Sequence, residues 1–356
     1  MQVYPHKRVT VAMAFVRMPT PQSPQSRGRL GEDPAYTYFR CMAVAYGSVR
    51  RFNPGVELAL VTTEPLPEPY AQQLAAIGVE TVLAPFTHRP PEDFGRGWAS
   101  SLFHLDAMAA LAGRGHTLVF IDPDVLCVRP LDAVLVAAGD AAGVQTEFDA
   151  LHAPEDEPML LEYEKICGEM HRELGEETVR HGVFGGYFYV LPPPLLPALL
   201  DRIDRAWSLA LDRHARGKSV FYTDEHFMNY ALRAVEVVEM SAYVRVIGTA
   251  PWRRMVTDRE TVLGLTLWHL IHEKDLGFQQ LYRDAVDPAS WFWTASPDEF
   301  RERAGAITSA TRRSPQRALL NCTGDLIEKL TTERMQHRLK PLFTRMVQLY
   351  SSMRMA

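Results

Sequence analysis

The feature that most constrains the fold of this chain is an alternation of short apolar runs with helical patterns over its first 121 residues. Strand-type runs lie at residues 9–16, 56–62, 79–83 and 118–121, and helical patterns lie between them at residues 36–52, 69–77 and 98–111. Such alternation is typical of βαβ units, in which a helix connects two parallel strands of one sheet. The sequence therefore predicts an α/β fold with a mostly parallel, doubly wound, Rossmann-like sheet.

Length, cysteine usage and hydropathy limit the classes of protein that remain. A chain of 356 residues predicts one large domain or two closely joined ones. Its four cysteines are widely spaced and form no Cys-x-x-Cys pair, which argues against a disulfide framework or a zinc site. The apolar run at residues 9–16 is short for a signal peptide, and no run reaches the ~20 apolar residues of a membrane span. We therefore expect a cytoplasmic protein with no transmembrane segment and no nucleic-acid partner.

The charge balance separates residues 301–356 from residues 1–300, which we expect to form the main domain. The C-terminal segment carries 11 Lys and Arg against 4 Asp and Glu, a net +7, so residues 1–300 carry −12 of the total −5. Apolar side chains occur at helical spacing near its end, at Met335, Leu339, Leu342, Phe343, Met346, Val347 and Tyr350. This pattern predicts a basic amphipathic helical extension that packs on the main domain or on a second subunit of a homodimer. Docking on an anionic membrane or an acidic partner is the alternative.

Two segments of the main domain are predicted to form irregular structure near a ligand. Residues 17–34 are rich in Pro, Ser, Gln and Gly and are expected to form a mobile loop on the ligand side of the first strand. Residues 146–180 form an acidic insertion that we interpret as a lid over an acceptor. A solvated helix is the alternative for most of the charges in this insertion.

Two aspartates follow the apolar run at residues 118–121. Asp122 and Asp124 lie at the carboxyl end of that predicted strand, the end that faces the ligand crevice in open α/β sheets. Paired carboxylates at this place can hold Mg²⁺ or Mn²⁺ against a diphosphate. The alternative is a turn started by Asp122 and Pro123, in which Asp124 is merely solvated.

Other nucleotide-binding and hydrolase motifs are absent from the sequence. Gly95-Arg96-Gly97 lacks the third glycine of a dinucleotide-binding fingerprint and does not directly follow a strand, and there is no Walker A motif. His272-Glu273 lacks the second histidine of a zinc-protease helix, and no Gly-x-Ser-x-Gly elbow occurs. The metal and diphosphate interpretation of the two aspartates therefore remains.

Two later segments carry residue types that suit a sugar site. Gly185 and Gly186 begin an aromatic strand-type run, where the missing side chains allow a ligand close to the backbone. A bulge or tight turn is the alternative. Asp224 and Glu225 precede a helical pattern, so they are either ligand contacts or acids that cap the helix and favour its dipole.

A third segment, residues 267–275, contains His269, His272 and Lys274. One imidazole can complete a metal site begun by two carboxylates, and a lysine can hold a phosphate as a point charge. A structural role is the alternative for a lone histidine.

The order of these motifs resembles that of the GT-A glycosyltransferases, especially the retaining branch of glycogenin-like and bacterial galactosyltransferase-like enzymes. The resemblance covers roughly residues 8–280 in arrangement and is carried by short motifs. These are Ile121-Asp122-Pro123-Asp124-Val125, Phe184-Gly185-Gly186, Asp224-Glu225-x-x-x-Asn229, and His269 followed by Lys274. The resemblance implies a GT-A fold and a nucleoside diphosphate sugar, a UDP-sugar in this branch, as co-substrate.

The resemblance also implies a metal site. In the family, the two aspartates and a late histidine bind Mn²⁺, or Mg²⁺ in its place, which bridges the phosphates of the donor. This carries over to Asp122, Asp124 and His269, and Lys274 matches a lysine that contacts phosphate. The glycine-containing His-x-x-Gly turn of the family is absent, so His272 is a rival to His269 as third ligand.

Around the sugar, the resemblance implies a contact of Asp224 with donor hydroxyls. Glu225 falls where the branch usually has glutamine beside the anomeric carbon, and Gly185 and Gly186 occupy a donor-contacting region where it usually has asparagine. A carboxylate at position 225 either acts as a nucleophile, forming a covalent glycosyl intermediate, or stabilises oxocarbenium-like charge electrostatically. We therefore assign Asp224 and Glu225 to catalysis and predict retention.

These motifs together predict a metal-dependent glycosyltransferase of the hexosyltransferase type. Its acceptor would be a small molecule or a glycan, and Trp252, Trp291 and Trp293 either stack on a sugar or lie in the core. One alternative is a nucleotidyltransferase that forms sugar nucleotides, although residues 14–19 lack the glycine-rich loop expected after its first strand. The other is a non-catalytic protein that binds a nucleotide sugar.

Overall fold

A computed structural model describes residues 8–18, 33–94, 97–148, 158–175, 183–249 and 258–312, together with residues 315, 317–319 and 346. Its strands are β1 (Val9–Phe15), β2 (Glu57–Thr62), β3 (Val79–Leu83), β4 (Thr117–Ile121), β5 (Val125–Cys127), β6 (Ala142–Phe148), β7 (Val183–Leu191), β8 (Val237–Glu239), β9 (Val244–Val246) and β10 (Leu267–His269). Its helices are α1 (Pro34–Phe52), α2 (Tyr70–Ile77), α3 (Phe103–Ala112), α4 (Asp132–Ala138), α5 (Pro158–Glu173), α6 (Leu196–Ala215), α7 (Asp224–Leu232), α8 (Arg259–Gly264), α9 (Gly277–Val286), α10 (Trp291–Thr294) and α11 (Pro297–Ile307). Short 3-10 turns precede α3 at Ala99–Leu102 and α6 at Pro193–Leu195.

Seven of these strands form the main sheet, in the order β3-β2-β1-β4-β7-β6-β8. The pairs β1–β2, β1–β4, β2–β3 and β6–β8 are parallel, whereas β7 runs antiparallel between β4 and β6. The predicted α/β fold with a mostly parallel sheet is therefore confirmed. Because β7 runs opposite to β4, it begins near the edge of the sheet where β4 ends.

Helices cover both faces of this sheet, as the double winding predicted. Every residue of β4 is buried, and its side chains alternate between two cores. Leu118 and Phe120 pack with residues of α3, α6 and α7, whereas Val119 and Ile121 pack with residues of α1 and α2. Burial on both faces explains why the sequence of this strand is continuously apolar.

A second sheet, β5-β10-β9, joins the late part of the chain to the segment that follows β4. β5 and β10 are antiparallel, with Val125 opposite His269. The Leu270 amide also donates a hydrogen bond of 2.9 Å to the carbonyl of Asp124. This pairing places β10 beside the aspartate turn, a contact between segments that are far apart in the sequence.

Helix α1 begins earlier than the sequence pattern predicted. The side chain of Asp33 accepts a hydrogen bond of 2.9 Å from the Ala35 amide, and Pro34 occupies the first turn. Both features are typical of a helix start, so Pro34 belongs to the helix and not to the predicted loop 17–34. Residues 19–32 of that loop lie outside the described residues.

The predicted insertion and C-terminal extension are described only in part. Within residues 146–180, the C-terminal half of α5 packs into the core through Ile166, Cys167 and Met170, while residues 149–157 and 176–182 lie outside the described residues. Helix α11 runs across position 300, and the predicted helix near residues 335–350 lies outside the described residues except for residue 346. Among the described helices, none combines the length and the hydrophobicity needed to cross a membrane.

Candidate active site

Asp122, Asp124 and His269 converge where β4 ends. One potential ligand atom from each residue lies within 4.8 Å of the other two. His269 Nε2 is 3.4 Å from Asp124 Oδ1 and 4.0 Å from Asp122 Oδ2. Asp124 is fully buried and His269 nearly so, whereas the side chain of Asp122 is 29% exposed. The cluster is therefore a buried pocket that solvent reaches on the Asp122 side.

The backbone around the cluster fixes each of its members. Asp122 donates its amide to the carbonyl of Tyr187 on β7, at 3.1 Å, and the pairing of β5 with β10 places His269. The imidazole of His269 lies against the Tyr187 ring, with 3.9 Å between ring centroids. His272, the rival ligand in the sequence, follows β10 and is not a member of the cluster.

Several atoms of the cluster are buried without a hydrogen bond. Among the described residues, Asp124 Oδ1 and both ring nitrogens of His269 have no such partner. Buried polar atoms are nearly always paired in folded proteins, so unpaired ones point to a ligand. Two carboxylates and an imidazole form a donor set that divalent metal ions accept. The residues therefore fit a divalent metal.

Lys274 supplies the positive charge nearest to the cluster, because its Nζ contacts Asp124 Oδ2. Burial acts to lower the pKa of the Lys274 ammonium, but the Asp124 carboxylate outweighs it and raises that pKa above its usual range. Burial likewise acts to raise the pKa of Asp124, yet Lys274 and His269 hold it well below the ordinary value. Lys274 and Asp124 are therefore both charged at neutral pH.

Asp122 differs from Asp124 in its electrostatic surroundings. Burial and the neighbouring charge of Asp124 raise the pKa of Asp122, while His104 and His269 partly oppose this rise. Two carboxylates that share one site cannot both ionise easily unless a cation joins them. The raised pKa of Asp122 is consistent with a site built for a cation.

Asp224 and Glu225 form the first turn of α7 and face Gly186 of β7. A Cβ added to Gly186 would lie 3.4 Å from the Glu225 Cβ and 3.5 Å from Asp224 Oδ2. The missing side chain of Gly186 therefore leaves space beside both acids. A Cβ on Gly185, in contrast, would lie 2.5 Å from Cε1 of Tyr187, so this glycine makes room for an aromatic ring of the protein itself.

Two polar side chains hold α7 against the site. The Asn229 amide donates to the Phe184 carbonyl and accepts from the Phe184 amide, both at 2.8 Å, which ties α7 to the start of β7. Thr223 caps the helix by accepting a hydrogen bond of 3.3 Å from the His226 amide. As the sequence pattern suggested, the acids lie in a first helical turn, where they favour the helix dipole. The same position directs them to the crevice, so capping and ligand contact do not exclude each other.

His104 on α3 is a site residue that the sequence analysis missed. Its Nδ1 lies 2.7 Å from Asp224 Oδ2, and the Ser101 hydroxyl accepts a hydrogen bond of 3.3 Å from the Asp224 amide. Burial acts to lower the pKa of His104, but Asp224 outweighs it and raises that pKa. A cavity of about 10 Å³, room for roughly one water molecule, is lined by His104, Asp122 and Gly186 among others. The only sequence signal for His104 was a histidine in an otherwise apolar helical run.

The two described tryptophans of the sequence analysis lie in a core. Trp293 donates its indole N–H to the Ala285 carbonyl at 3.0 Å, and Trp291 packs against Phe300 with 5.7 Å between ring centroids. They belong to the packing of α9, α10 and α11, which favours the core interpretation. Trp252 lies outside the described residues.

No protein-family model matches the chain, and no curated protein matches it in sequence. Solved structures do match. The chain is similar to the bifunctional glycosyltransferase WbbM in its apo form, at 12% identity and a TM-score of 0.49, over 85% of this chain and 53% of WbbM. It thus spans about half the length of that protein.

Two further structures illustrate the same similarity. The galactosyltransferase LgtC, in complex with donor and acceptor sugar analogues, matches at 13% identity and a TM-score of 0.48, over 86% of this chain and 98% of LgtC. Apo mouse xyloside xylosyltransferase 1 matches at 11% identity and a TM-score of 0.41, over 74% of this chain and 97% of the mouse chain.

Proposed function

We propose that this chain is a metal-dependent glycosyltransferase, which transfers a sugar from a nucleoside diphosphate sugar, in particular a UDP-sugar, to an acceptor hydroxyl with retention. The observation that carries the proposal is the convergence of ligand atoms from Asp124, His269 and the half-open carboxylate of Asp122, in which His269 Nε2 lies 3.4 Å from Asp124 Oδ1 without a hydrogen bond between them. Asp122 of this cluster and Gly186 line the same small cavity, and the acids of α7 lie next to Gly186. A metal bound by carboxylates can also bind the phosphates of a substrate, so a metal site close to the acids of α7 suits a diphosphate sugar.

Asp122, Asp124 and His269 would hold the metal ion. The imidazole favours Mn²⁺ over Mg²⁺, because Mg²⁺ prefers oxygen ligands and keeps several waters. When bound, the metal supplies Lewis-acid stabilisation of the charge that develops on the departing diphosphate. Lys274 adds a fixed ammonium charge on the same side of the site.

The sugar would lie beside Gly186 and the first turn of α7, next to Asp224 and Glu225. His104 donates to Asp224 Oδ2 and so fixes the orientation of this carboxylate toward donor hydroxyls. Two roles for Glu225 remain. As nucleophile, its carboxylate would bond to the anomeric carbon while the bond to the diphosphate oxygen breaks and its electron pair leaves with the diphosphate. The acceptor hydroxyl would then displace the Glu225 carboxylate and pass its proton to a phosphate oxygen of the departed nucleoside diphosphate. In front-face attack the same oxygen would take the proton, and Glu225 would only stabilise positive charge on the sugar.

The acceptor is proposed to be a small molecule or a glycan. Helix α5 lies between β6 and β7 and belongs to the insertion that would cover the acceptor. Product anomer analysis by NMR tests retention directly.

A nucleotide-sugar panel tests the proposed function. Purified chain is incubated with Mn²⁺ and each nucleotide sugar, and nucleoside diphosphate release and thermal shift are measured. We expect release that depends on metal and is largest with one UDP-sugar. Pyrophosphate-dependent chemistry would instead indicate a nucleotidyltransferase, and a thermal shift without release a non-catalytic binding protein.

Two histidine variants provide a matched comparison. His269→Gln should lower both Mn²⁺ affinity and turnover by about 10- to 100-fold, because it removes a ligand. His272→Gln should leave both near the native values, since His272 is outside the cluster. Equal losses in the two variants would refute the assignment of His269.

A further inference from the structure

In the chain beyond α11, the charged residue Arg317 is buried, whereas a nearby apolar residue is exposed. Its side chain is 2% exposed, whereas Leu319, two residues later, is 67% exposed. Arginine is among the residues least often buried, unless a partner compensates its charge. The burial of Arg317 therefore requires a specific partner inside the protein.

That partner is Glu273, which is fully buried. The guanidinium of Arg317 donates from Nη2 to Glu273 Oε1 and from Nη1 to Glu273 Oε2, the latter at 3.3 Å. The Gly277 amide also donates to Glu273 Oε2, at 3.1 Å. A forked guanidinium on a carboxylate constrains both distance and orientation more tightly than a lysine would.

Glu273 lies in the β10–α9 loop, residues 270–276, which also carries Lys274. The backbone of Glu273 organises this loop: its amide donates to the Leu270 carbonyl at 2.9 Å, and its carbonyl accepts from the amides of Leu276 and Phe278, each at 3.0 Å. Movement of Glu273 would therefore displace its neighbour Lys274. Lys274 in turn contacts Asp124 of the metal cluster.

The chain after α11 is packed tightly against the same loop. A Cβ added to Gly277 would lie 2.9 Å from Glu273 Oε2 and 2.9 Å from the Thr308 Cα. Thr308 is fully buried, and Ser309 has a positive φ of 60°, which turns the chain where α11 ends. The start of α9, Glu273 and the segment after α11 thus form one close-packed unit.

We infer that Arg317 is a positioning residue for the donor-diphosphate site, and that its ion pair with Glu273 fixes the β10–α9 loop so that Lys274 faces the metal cluster. The assignment of the diphosphate to this site rests on the proposed function. Arg317, a residue of the basic C-terminal segment, is accordingly part of the active-site architecture. Ligands held by such a preorganised charge lose affinity when the charge shifts by about 1 Å.

Hydrogen exchange and binding test this inference on the full-length chain. In Arg317→Met, the amides of residues 273, 276, 277 and 278 should lose more protection than the loss of global stability in the same variant accounts for. Affinity for UDP in the presence of Mn²⁺ should fall about 10- to 100-fold, while affinity for Mn²⁺ alone stays within about twofold. Arg317→Lys should lie between native and Arg317→Met, because lysine keeps the charge but not the fork.

A double variant separates the ion pair from simple packing. Glu273→Gln combined with Arg317→Met leaves no unpaired buried charge, so loop protection should recover toward the native level. Arg213→Met serves as the matched control, because Arg213 is an equally buried arginine in an ion-pair cluster with α5 acids. It should lower global stability without a selective effect on the loop.

Three results would overturn the inference: loop exchange in Arg317→Met that follows global stability, equal losses of Mn²⁺ and UDP affinity, or a double variant no better than Arg317→Met. If the native chain binds Mn²⁺ but no nucleotide, the proposed function fails. The exchange measurement then still decides whether Arg317 positions the loop.

Discussion

Two buried charged clusters in this molecule differ in how completely their polar atoms are paired. In the cluster between α5 and α6, Arg213 donates from Nε to the Ser219 carbonyl at 2.8 Å, from Nη1 to Glu173 at 2.6 Å and from Nη2 to Glu169 at 2.5 Å. Every guanidinium nitrogen is therefore engaged. In the cluster at the end of β4, Asp124 Oδ1 and the His269 ring nitrogens make no hydrogen bond with a described residue.

This difference fits a structural role for the Arg213 cluster and the proposed metal-binding role for the cluster at the end of β4. A satisfied network stabilises the fold, whereas each buried polar atom without a partner costs about 1–3 kcal/mol. Asp124 Oδ1 and His269 Nε2 lie 3.4 Å apart without a hydrogen bond, so their interaction offsets only part of this cost. Under the proposed function a bound cation would supply the remaining interaction, and changes in the two clusters should therefore affect different observables.

The largest expected effect is that of Asp124→Asn. Replacing the carboxylate with an amide removes a charged metal ligand of similar shape, so metal-dependent turnover should fall about 10³-fold and Mn²⁺ affinity should fall with it. Turnover of the nucleotide sugar and calorimetric titration of Mn²⁺ provide the measurement. Asp122→Asn should show the same loss, and circular dichroism should show that the fold persists in both variants.

The exposed Asp132, in the first turn of α4, provides the control for this experiment. Asp132→Asn should keep native turnover, because its carboxylate is exposed and is not a member of the cluster. Native turnover in either cluster variant would contradict the functional interpretation of the unpaired atoms.

Lys274→Met should have effects of opposite sign on two ligands. Removing an ammonium that contacts Asp124 relieves repulsion of a cation, so affinity for Mn²⁺ alone should stay constant or rise severalfold. Affinity for UDP and turnover should fall about 10- to 100-fold, because a phosphate-binding charge is lost. Binding of each ligand is measured by calorimetry, with Lys274→Arg as the variant that keeps the charge. A parallel loss of both affinities would mean that Lys274 only supports the fold.

Arg213→Met tests the fully paired cluster between α5 and α6. It removes the buried partner of Glu169 and Glu173, although Glu173 keeps Arg216 and Lys218. Because both acids are partly exposed, the free energy of unfolding should fall by less than it would for a fully buried pair. Urea unfolding measures this loss. Mn²⁺ affinity should not change, and a reduced affinity would show that the two clusters are coupled.

The parts of the site that sequence reasoning found are those with a local pattern. β4 is continuously apolar because both of its faces are buried, and the two aspartates follow it directly, so a single window of sequence contains the strand and the ligands. The predicted α/β class follows from the same kind of local evidence. Helix starts shifted by a few residues. Asp33 caps α1, which begins two residues before its predicted start, and the helix predicted at residues 98–111 begins with the 3-10 turn Ala99–Leu102 before α3.

The parts that could not be found depend on partners far apart in the sequence. Strands β5, β9 and β10 have three residues each, too few for a pattern, and only their mutual pairing defines them. His104 gains its role from Asp224, and Arg317 gains its role from Glu273. In each case the sequence shows a charged or polar residue but does not show its partner, because the two residues come together only in the folded chain.

The smallest expected effect concerns pH and compares α7, at the site, with the Arg213 cluster. Burial lowers the pKa of His226 to about 4, and its Nδ1 accepts a hydrogen bond of 3.3 Å from the Tyr222 amide, which requires that nitrogen to be unprotonated. His226 binds a proton near pH 6.5 in the unfolded chain and only near pH 4 in the folded chain, so the free energy of unfolding falls as pH drops through this window.

The pKa of Glu173, in the Arg213 cluster, is instead lowered by its hydrogen bond from Lys218 and by Arg213, so that cluster keeps its stabilisation until more acidic pH. Urea unfolding at pH 7 and pH 4.5 should show that His226→Gln loses about 1–2 kcal/mol less than the native chain on acidification. An identical acid loss in both proteins would show that other groups set the acid limit of the fold.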